Sequence, residues 1–172
     1  TSSFGVTEGS YELIFDILKG KNLAYKINSN PSNRVGEASG ILVGGNLALI
    51  YALLGTSYSF DFKDKILFIE DIGENFYALD RMIMSLELAG VFKKIKGLIV
   101  GGMTNMGKET ENKEYEESYD SFTYQLIADR VSKYDFPTVF AFPNGHIYDN
   151  RPLIIGSDVK MKVDKKVLLE FH

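Results

Sequence analysis

Residues 65–74, Lys-Ile-Leu-Phe-Ile-Glu-Asp-Ile-Gly-Glu, contain the pattern that decides the fold. The four apolar residues 66–69 form a short continuous run, which is typical of a strand buried on both faces of a sheet. The run ends at two adjacent carboxylates, Glu70 and Asp71. Ligand crevices open at the carboxyl ends of strands in α/β sheets, so these side chains, and Glu70 first, are candidates for chemistry. The alternative, that they cap the following loop and helix, stays open.

The spacing of apolar residues, and the glycines that end several apolar segments, predict alternating helices and strands on both sides of this stretch. The predicted helices are 7–19, 47–54, 76–89 and 122–134. The predicted strands are 23–27, 41–43, 65–69, 95–100 and 138–142. Two alternating segments around a short turn, 159–163 and 167–171, predict a C-terminal β-hairpin.

This order of elements predicts a layered α/β domain, with a mainly parallel sheet flanked by helices and ending in the β-hairpin. Two glycine pairs, 44–45 and 101–102, follow predicted strands, and we interpret them as tight turns. Neither pair is followed by the Lys-Ser or Lys-Thr of a phosphate-binding loop. The order of the strands in the sheet does not follow from the sequence.

The composition narrows the classes of function. The 172 residues are 45% hydrophobic and 24% charged, which is ordinary for a globular domain. A net charge of −4 without a cluster of Lys and Arg disfavours a nucleic-acid partner. Without cysteine there can be neither disulfides nor thiolate zinc sites, which suits a reducing compartment, and we expect a cytoplasmic protein.

The chain also lacks the signals of a membrane or secreted protein. No apolar run approaches the length of about 20 residues that a membrane span requires. The first residues show no secretory signal and no initiator Met, so we expect the chain to begin within a longer gene product. The acidic stretch 108–120 is interpreted as a solvated segment rather than a metal site.

His146 is one of two histidines and follows a predicted strand on a Pro-Asn-Gly turn, which is a position expected of a general base. It would share an edge of the sheet with Glu70, and a carboxylate that orients an imidazole is part of a catalytic triad. The nucleophile is missing from this pattern. Ser39, Ser57 and Ser59 lie in predicted loops, but no Gly-x-Ser-x-Gly elbow occurs.

A set of motifs in a fixed order resembles the C-terminal half of a known family. The motifs are Gly44-Gly45-Asn46-Leu47, Leu54-Gly55-Thr56, Ile66-Leu67-Phe68-Ile69-Glu70-Asp71-Ile72-Gly73-Glu74, Tyr77, Asp80-Arg81-Met82, Leu86, Ala89-Gly90, Gly97-Leu98-Ile99-Val100-Gly101 and Phe142-Pro143-Asn144-Gly145-His146. Together they resemble the LD-carboxypeptidases, which are muramoyl-tetrapeptide carboxypeptidases, and the related microcin-immunity peptidases. The resemblance runs from about residue 35 to residue 156, and only the ordered set is specific.

The resemblance implies a serine peptidase that removes the terminal D-alanine from an L,D-linked murein tetrapeptide during cell-wall recycling, without a metal or another cofactor. In the family, a strand-end glutamate and the histidine of a Gly-His pair complete a Ser-His-Glu triad. These correspond to Glu70 and His146, and Asp71 is the second candidate for the carboxylate. The serine and the oxyanion hole belong to the N-terminal half. We therefore expect residues 1–172 to be an isolated C-terminal domain that does not hydrolyse peptides alone.

Two other hypotheses remain beside this one. A non-catalytic domain that binds a peptide or muropeptide would keep its ligand after loss of His146. A nucleotide-binding α/β domain would use the glycine turns and would melt at a nucleotide-dependent temperature. The expected partners are a murein tetrapeptide or related peptide and the protein's own N-terminal domain, without nucleic acid or membrane. A homodimer is also considered, because a domain cut from its partner half exposes an apolar face.

Overall fold

The computed structural model describes residues 8–107 and 118–172. In these ranges seven strands form one sheet in the order β1-β7-β6-β2-β3-β4-β5. The strands are β1 (Ala24–Asn28), β2 (Gly36–Asn46), β3 (Ile66–Ile72), β4 (Gly97–Thr104), β5 (Thr138–Val139), β6 (Asp158–Val163) and β7 (Lys166–Phe171). The helices are α1 (Glu8–Leu18), α2 (Leu47–Leu53), α3 (Phe76–Leu88) and α4 (Ser118–Val131), with a 3₁₀ turn at Val91–Lys93.

The sheet has a parallel and an antiparallel part. Strands β2, β3, β4 and β5 pair in parallel, and helices connect them. The hairpin β6–β7 pairs antiparallel with β2 on one side and with β1 on the other. This arrangement confirms the predicted α/β class and the C-terminal hairpin, and the parallel strands β2 to β5 form one half of the sheet, up to the β5 edge.

The core lies on both faces of the sheet. On one face, Leu67 and Ile69 of β3 pack with buried residues of α2, α3 and α4. On the other face, Ile66 and Phe68 pack with the hairpin, with β1 and with the partly buried side of α1. The run 66–69 is therefore buried on both faces as predicted, and Glu70 follows it in β3, which ends at Ile72.

The interpretation of the glycine pairs as turns is wrong, because both pairs lie inside strands. β2 begins at Gly36 and continues through Gly44 to Asn46, well beyond the predicted 41–43. Gly44 has a φ of +131°, and a Cβ there would lie 1.9 Å from the carbonyl oxygen of Phe68. The missing side chain thus lets β2 stay paired with β3 at this point, and the chain turns only at α2.

Two predicted ends also differ. The predicted strand 138–142 shrinks to two residues. Ala141 adopts a φ of +55°, which no regular strand contains, although the N–H of Phe142 still donates to the carbonyl of Val100 at 3.0 Å. The predicted strand 95–100 begins at Gly97 and continues to Thr104.

Most of the acidic stretch 108–120 lies outside the described residues. Among the helices that the structure describes, none has the length and apolar character needed to cross a bilayer.

Candidate active site

Glu70 and His146 meet at the carboxyl edge of the parallel strands. The Nδ1 atom of His146 lies 2.8 Å from Oε2 of Glu70. The two residues are 76 positions apart in the sequence and come together because β3 and the chain that follows β5 end at the same edge. The Glu70 side chain is 8% exposed, whereas that of His146 is 40% exposed. The pair thus combines a buried carboxylate with an imidazole that solvent or a substrate can reach.

This geometry defines the chemistry open to the imidazole. A carboxylate can only accept hydrogen bonds, so Nδ1 of His146 donates to Glu70. In the neutral ring that leaves Nε2 as the nitrogen that can accept a proton. An imidazole oriented through Nδ1 by a carboxylate, with Nε2 as base, is the acid–base half of a catalytic triad.

The register between β3 and β4 is irregular beside Glu70. Between Ile69 and Asp71 strand β3 advances by two residues while the paired part of β4 advances by three, so the extra residue lies in β4. Adjacent side chains of a strand point to opposite faces, so Glu70 and Asp71 serve different neighbours. Asp71 Oδ1 accepts hydrogen bonds from Asn46 Nδ2 and from the backbone N–H of Ile72, both at 2.8 Å. Asp71 Oδ2 accepts from the backbone N–H of Ala48 at 3.0 Å.

Asp71, the second candidate for the carboxylate that orients the imidazole, therefore has other partners than His146. It binds the first turn of α2, which is the capping role considered for both carboxylates. Asn46 completes this arrangement, because its Oδ1 caps α2 through the N–H of Leu49 at 3.1 Å. The capping role therefore applies to Asp71, whereas the carboxylate of Glu70 contacts the ring of His146.

Glycines let the loop that carries His146 lie close to β3 and β4. A Cβ on Gly101 would lie 2.4 Å from the carbonyl oxygen of Asn144, and one on Gly102 would lie 2.5 Å from Cγ2 of Ile147. Gly145, with a φ of +118°, packs directly on Glu70, since a Cβ there would lie 2.9 Å from Oε2. The second glycine pair therefore serves close packing of this loop.

Hydrogen bonds hold the same loop in place. The N–H of Gly102 donates to the carbonyl of Asn144 at 2.9 Å. Inside the loop, the N–H of Gly145 donates to Oδ1 of Asn150 at 3.1 Å. The hydroxyl of Thr104 donates to the carbonyl of His146 at 2.9 Å. Sequence reasoning missed Asn150 and Thr104, because neither stands in a motif. The Pro-Asn-Gly turn was the only signal that pointed to this loop.

The three serines considered as nucleophiles lie away from this edge. Ser39 pairs with Lys160 in the antiparallel part of the sheet, whereas the residue of β2 paired with Glu70 is Asn46. Seven residues of strand separate these positions by about 23 Å. Ser57 and Ser59 lie in the connection from α2 to β3, at the opposite end of β3 from Glu70. None of these three is placed to be activated by His146.

In the part of the chain that the structure describes, no group of three or more His, Asp and Glu side chains is arranged to hold a metal ion.

Burial raises the pKa of Tyr25, whose hydroxyl donates to the carbonyl of Pro152 at 2.6 Å. This contact ties β1 to the chain that leaves the histidine loop.

Comparison with known proteins identifies the family. Residues 39–161 match the family model of the LD-carboxypeptidase C-terminal domain. The chain is 29% identical over 163 residues to a probable murein peptide carboxypeptidase of Bacillus subtilis (strain 168), covering 94% of this chain and 48% of that protein. Its fold matches the crystal structure of the muramoyltetrapeptide carboxypeptidase from Oxalobacter formigenes with a TM-score of 0.81 and 25% identity, over 96% of this chain and 55% of that one.

The microcin C7 self-immunity protein MccF shares the fold, with a TM-score of 0.75 over 96% of this chain and 55% of that chain, at 19% identity. The chain spans about half the length of the curated relatives it matches. The family match, the motifs around Glu70 and His146 and the shared fold agree with one another, and the chain belongs to the LD-carboxypeptidase family, in the part that forms its C-terminal domain.

Proposed function

We propose that residues 1–172 are the C-terminal domain of a serine carboxypeptidase that releases the terminal D-alanine from an L,D-linked murein tetrapeptide in cytoplasmic cell-wall recycling. The observation that carries this proposal is the 2.8 Å contact between Glu70 and His146, in a chain that matches the C-terminal domain of the LD-carboxypeptidases. The name of the Bacillus subtilis relative, a probable murein peptide carboxypeptidase, supports the choice of substrate.

In the proposed mechanism the nucleophile comes from the protein's own N-terminal domain. Nε2 of His146 takes the proton of that serine hydroxyl as its oxygen attacks the scissile carbonyl. When the tetrahedral intermediate collapses, His146 returns the proton to the amine of the leaving D-alanine. Water then hydrolyses the acyl-enzyme, again with His146 as base. Glu70 holds Nδ1 and stabilises the imidazolium that forms twice in the cycle.

Burial of Glu70 supports this role. A carboxylate shielded from solvent interacts more strongly with a positive imidazolium than one in water, because the local dielectric constant is lower. The side chain of His146 is 40% exposed, so a substrate and a nucleophile from a second domain can reach the ring. Removal of one triad member costs about four to six orders of magnitude in kcat in well-studied serine proteases.

The test uses the full-length product of the gene that encodes this chain, with D-alanine release from an L,D-linked tetrapeptide as the readout. We expect His146→Ala and Glu70→Gln each to lower kcat by at least about a thousandfold. His172→Ala and Glu37→Gln are the matched controls, because they remove the other histidine and an exposed carboxylate without touching the pair. These controls should keep wild-type kcat.

Other outcomes would count against the proposal. Wild-type turnover by Glu70→Gln would show that the Glu70–His146 contact is structural. Tetrapeptide binding without hydrolysis in the full-length protein, retained in His146→Ala, would favour a non-catalytic muropeptide-binding domain. Hydrolysis of a microcin-like peptide nucleotide and not of the tetrapeptide would place the protein with the microcin-immunity peptidases instead.

A further inference from the structure

Thr104 connects the two elements that carry Glu70 and His146. It is the last residue of β4 and is 3% exposed. Its backbone carbonyl accepts a hydrogen bond from the N–H of Gly73 at 2.9 Å, just beyond the end of β3. Its hydroxyl donates to the backbone carbonyl of His146 at 2.9 Å. One residue therefore bonds both to the chain that follows Glu70 and to the main chain of His146.

The bond from the hydroxyl depends on the side chain. Two other hydrogen bonds join β4 to this loop, from the N–H of Phe142 to the carbonyl of Val100 at 3.0 Å and from the N–H of Gly102 to the carbonyl of Asn144 at 2.9 Å. Both are made by backbone atoms and need no side-chain donor. Thr104 has a single hydroxyl proton to donate, and the geometry directs it to His146. His146 lies in a loop without ladder hydrogen bonds, so the position of its backbone depends on ties of this kind.

Burial makes this tie effective. A hydrogen bond shielded from water is electrostatically stronger than one on the surface, and it does not compete with solvent for the hydroxyl. The bond fixes the carbonyl of His146, and the ring then reaches Glu70 through its two remaining side-chain torsions. Without it, the backbone of His146 could shift relative to the carboxylate, which Gly145 and the core hold in place.

We propose that Thr104 is a positioning residue, whose hydroxyl fixes the main chain of His146 so that Nδ1 stays on Glu70. Thr104 need not touch substrate in this role. Its effect on turnover rests on the proposed peptidase function, whereas its effect on the imidazole does not, and the two are measured separately.

The first measurement is NMR of the 172-residue chain with ¹⁵N-labelled histidine. The sequence holds only two histidines, so the ring signals are assigned with one variant, His172→Ala. We expect the wild-type protein to show one Nδ1–H tautomer for His146, with a low-field Nδ1 proton. Thr104→Val has nearly the same shape and lacks the hydroxyl, and should give mixed tautomers and lose the low-field proton. Thr104→Ser should restore both signals.

The control is Thr138→Val, at a 2% exposed threonine on the neighbouring strand β5 whose hydroxyl donates to the carbonyl of Phe136. It loses a buried hydroxyl as Thr104→Val does, but at a distance from the histidine loop, and should leave the His146 signals unchanged. If Thr104→Val does not fold, Thr104→Ala removes the same hydroxyl with less bulk. Wild-type His146 signals in either hydroxyl-free variant would overturn the proposal, as would an equal change in Thr138→Val.

The second measurement is kinetic and uses the full-length protein. Thr104→Val should lower kcat about ten- to a hundredfold with KM unchanged within about twofold, since a displacement of up to 1 Å of a catalytic group has costs of this size. Thr104→Ser should recover most of kcat. An unchanged kcat in Thr104→Val would overturn the catalytic part. If the wild-type full-length protein releases no D-alanine, the peptidase proposal fails, and the NMR result alone decides the role of Thr104.

Discussion

Gly145→Ala is the substitution that most sharply separates backbone strain from damage to the candidate site. Gly145 precedes His146 and has a φ of +118°, a conformation that L residues rarely adopt. An alanine Cβ there would lie 2.9 Å from Oε2, 3.0 Å from Cβ and 3.2 Å from Cγ of Glu70. The new methyl group would therefore press on the side chain that holds the imidazole.

The magnitude has two parts. Holding a residue other than glycine at this φ costs about 1–3 kcal/mol. Pushing a methyl group against a packed, nearly buried side chain costs about another 1–3 kcal/mol. We therefore expect the free energy of unfolding to fall by about 2–6 kcal/mol, with the upper end reached if Glu70 cannot move. If Glu70 does move, the Oε2–Nδ1 contact lengthens, and kcat of the full-length protein should fall about ten- to a hundredfold.

The matched control is Gly156→Ala. Gly156 has a φ of +91°, but a Cβ there would meet nothing within 4 Å. The free energy of unfolding of Gly156→Ala should fall only by the cost of the backbone strain, about 1–3 kcal/mol. This variant should keep wild-type kcat and wild-type His146 signals. Urea unfolding followed by circular dichroism gives the first quantity, and D-alanine release gives the second. Equal losses of stability in the two variants, together with full activity of Gly145→Ala, would refute the close packing of Gly145 on Glu70.

Three further predictions concern stability and are measured by the same unfolding assay. Asp71→Asn should cost about 1–3 kcal/mol, because an amide nitrogen replaces one of the oxygens that accept hydrogen bonds from Asn46 and Ala48 at the start of α2 and from the N–H of Ile72. An unchanged stability would contradict this. Thr123→Val should be neutral or stabilise by up to about 1 kcal/mol, because the buried Thr123 hydroxyl has no hydrogen-bond partner among residues 8–107 and 118–172. A clear loss of stability would show that this hydroxyl has a partner. The hydrogen bond and the charge of Lys133 lower the pKa of Glu87 in the folded protein. The ionised Glu87 therefore stabilises the fold at a pH above the ordinary carboxyl pKa. This stabilisation is lost as the pH falls through the lowered pKa. The wild-type protein should therefore exceed Glu87→Gln in stability at neutral pH and lose that margin in acid, and a margin independent of pH would contradict this ion pair.

The parts of the fold that were predictable are those that local patterns determine. The run 66–69 is apolar without alternation, which is typical of a strand buried on both faces, and the structure has such a strand there. Alternating residues around a short turn fixed the hairpin β6–β7. The meeting of Glu70 and His146 was also expected, since both follow strands whose carboxyl ends share an edge in a parallel sheet. Their catalytic role stays a prediction.

The parts that the sequence concealed depend on contacts between distant segments. Gly44 looked like a turn residue because glycine allows a turn, but here it allows the backbone of Phe68 to approach. Asp71 remained the second candidate beside Glu70, because a strand sends adjacent side chains to opposite faces and the sequence does not say which face holds the histidine. Thr104 carries no motif, and only the fold brings its hydroxyl to the carbonyl of His146.

The most direct test of the central claim compares D-alanine release by the 172-residue chain with that by the full-length product of the same gene, at equal concentrations and on the same L,D-linked tetrapeptide. If this chain supplies Glu70 and His146 to a nucleophile in another domain, only the full-length protein will release D-alanine. Hydrolysis by the 172-residue chain at a rate near that of the full-length protein, abolished by His146→Ala, would place the nucleophile within these residues and contradict the split triad.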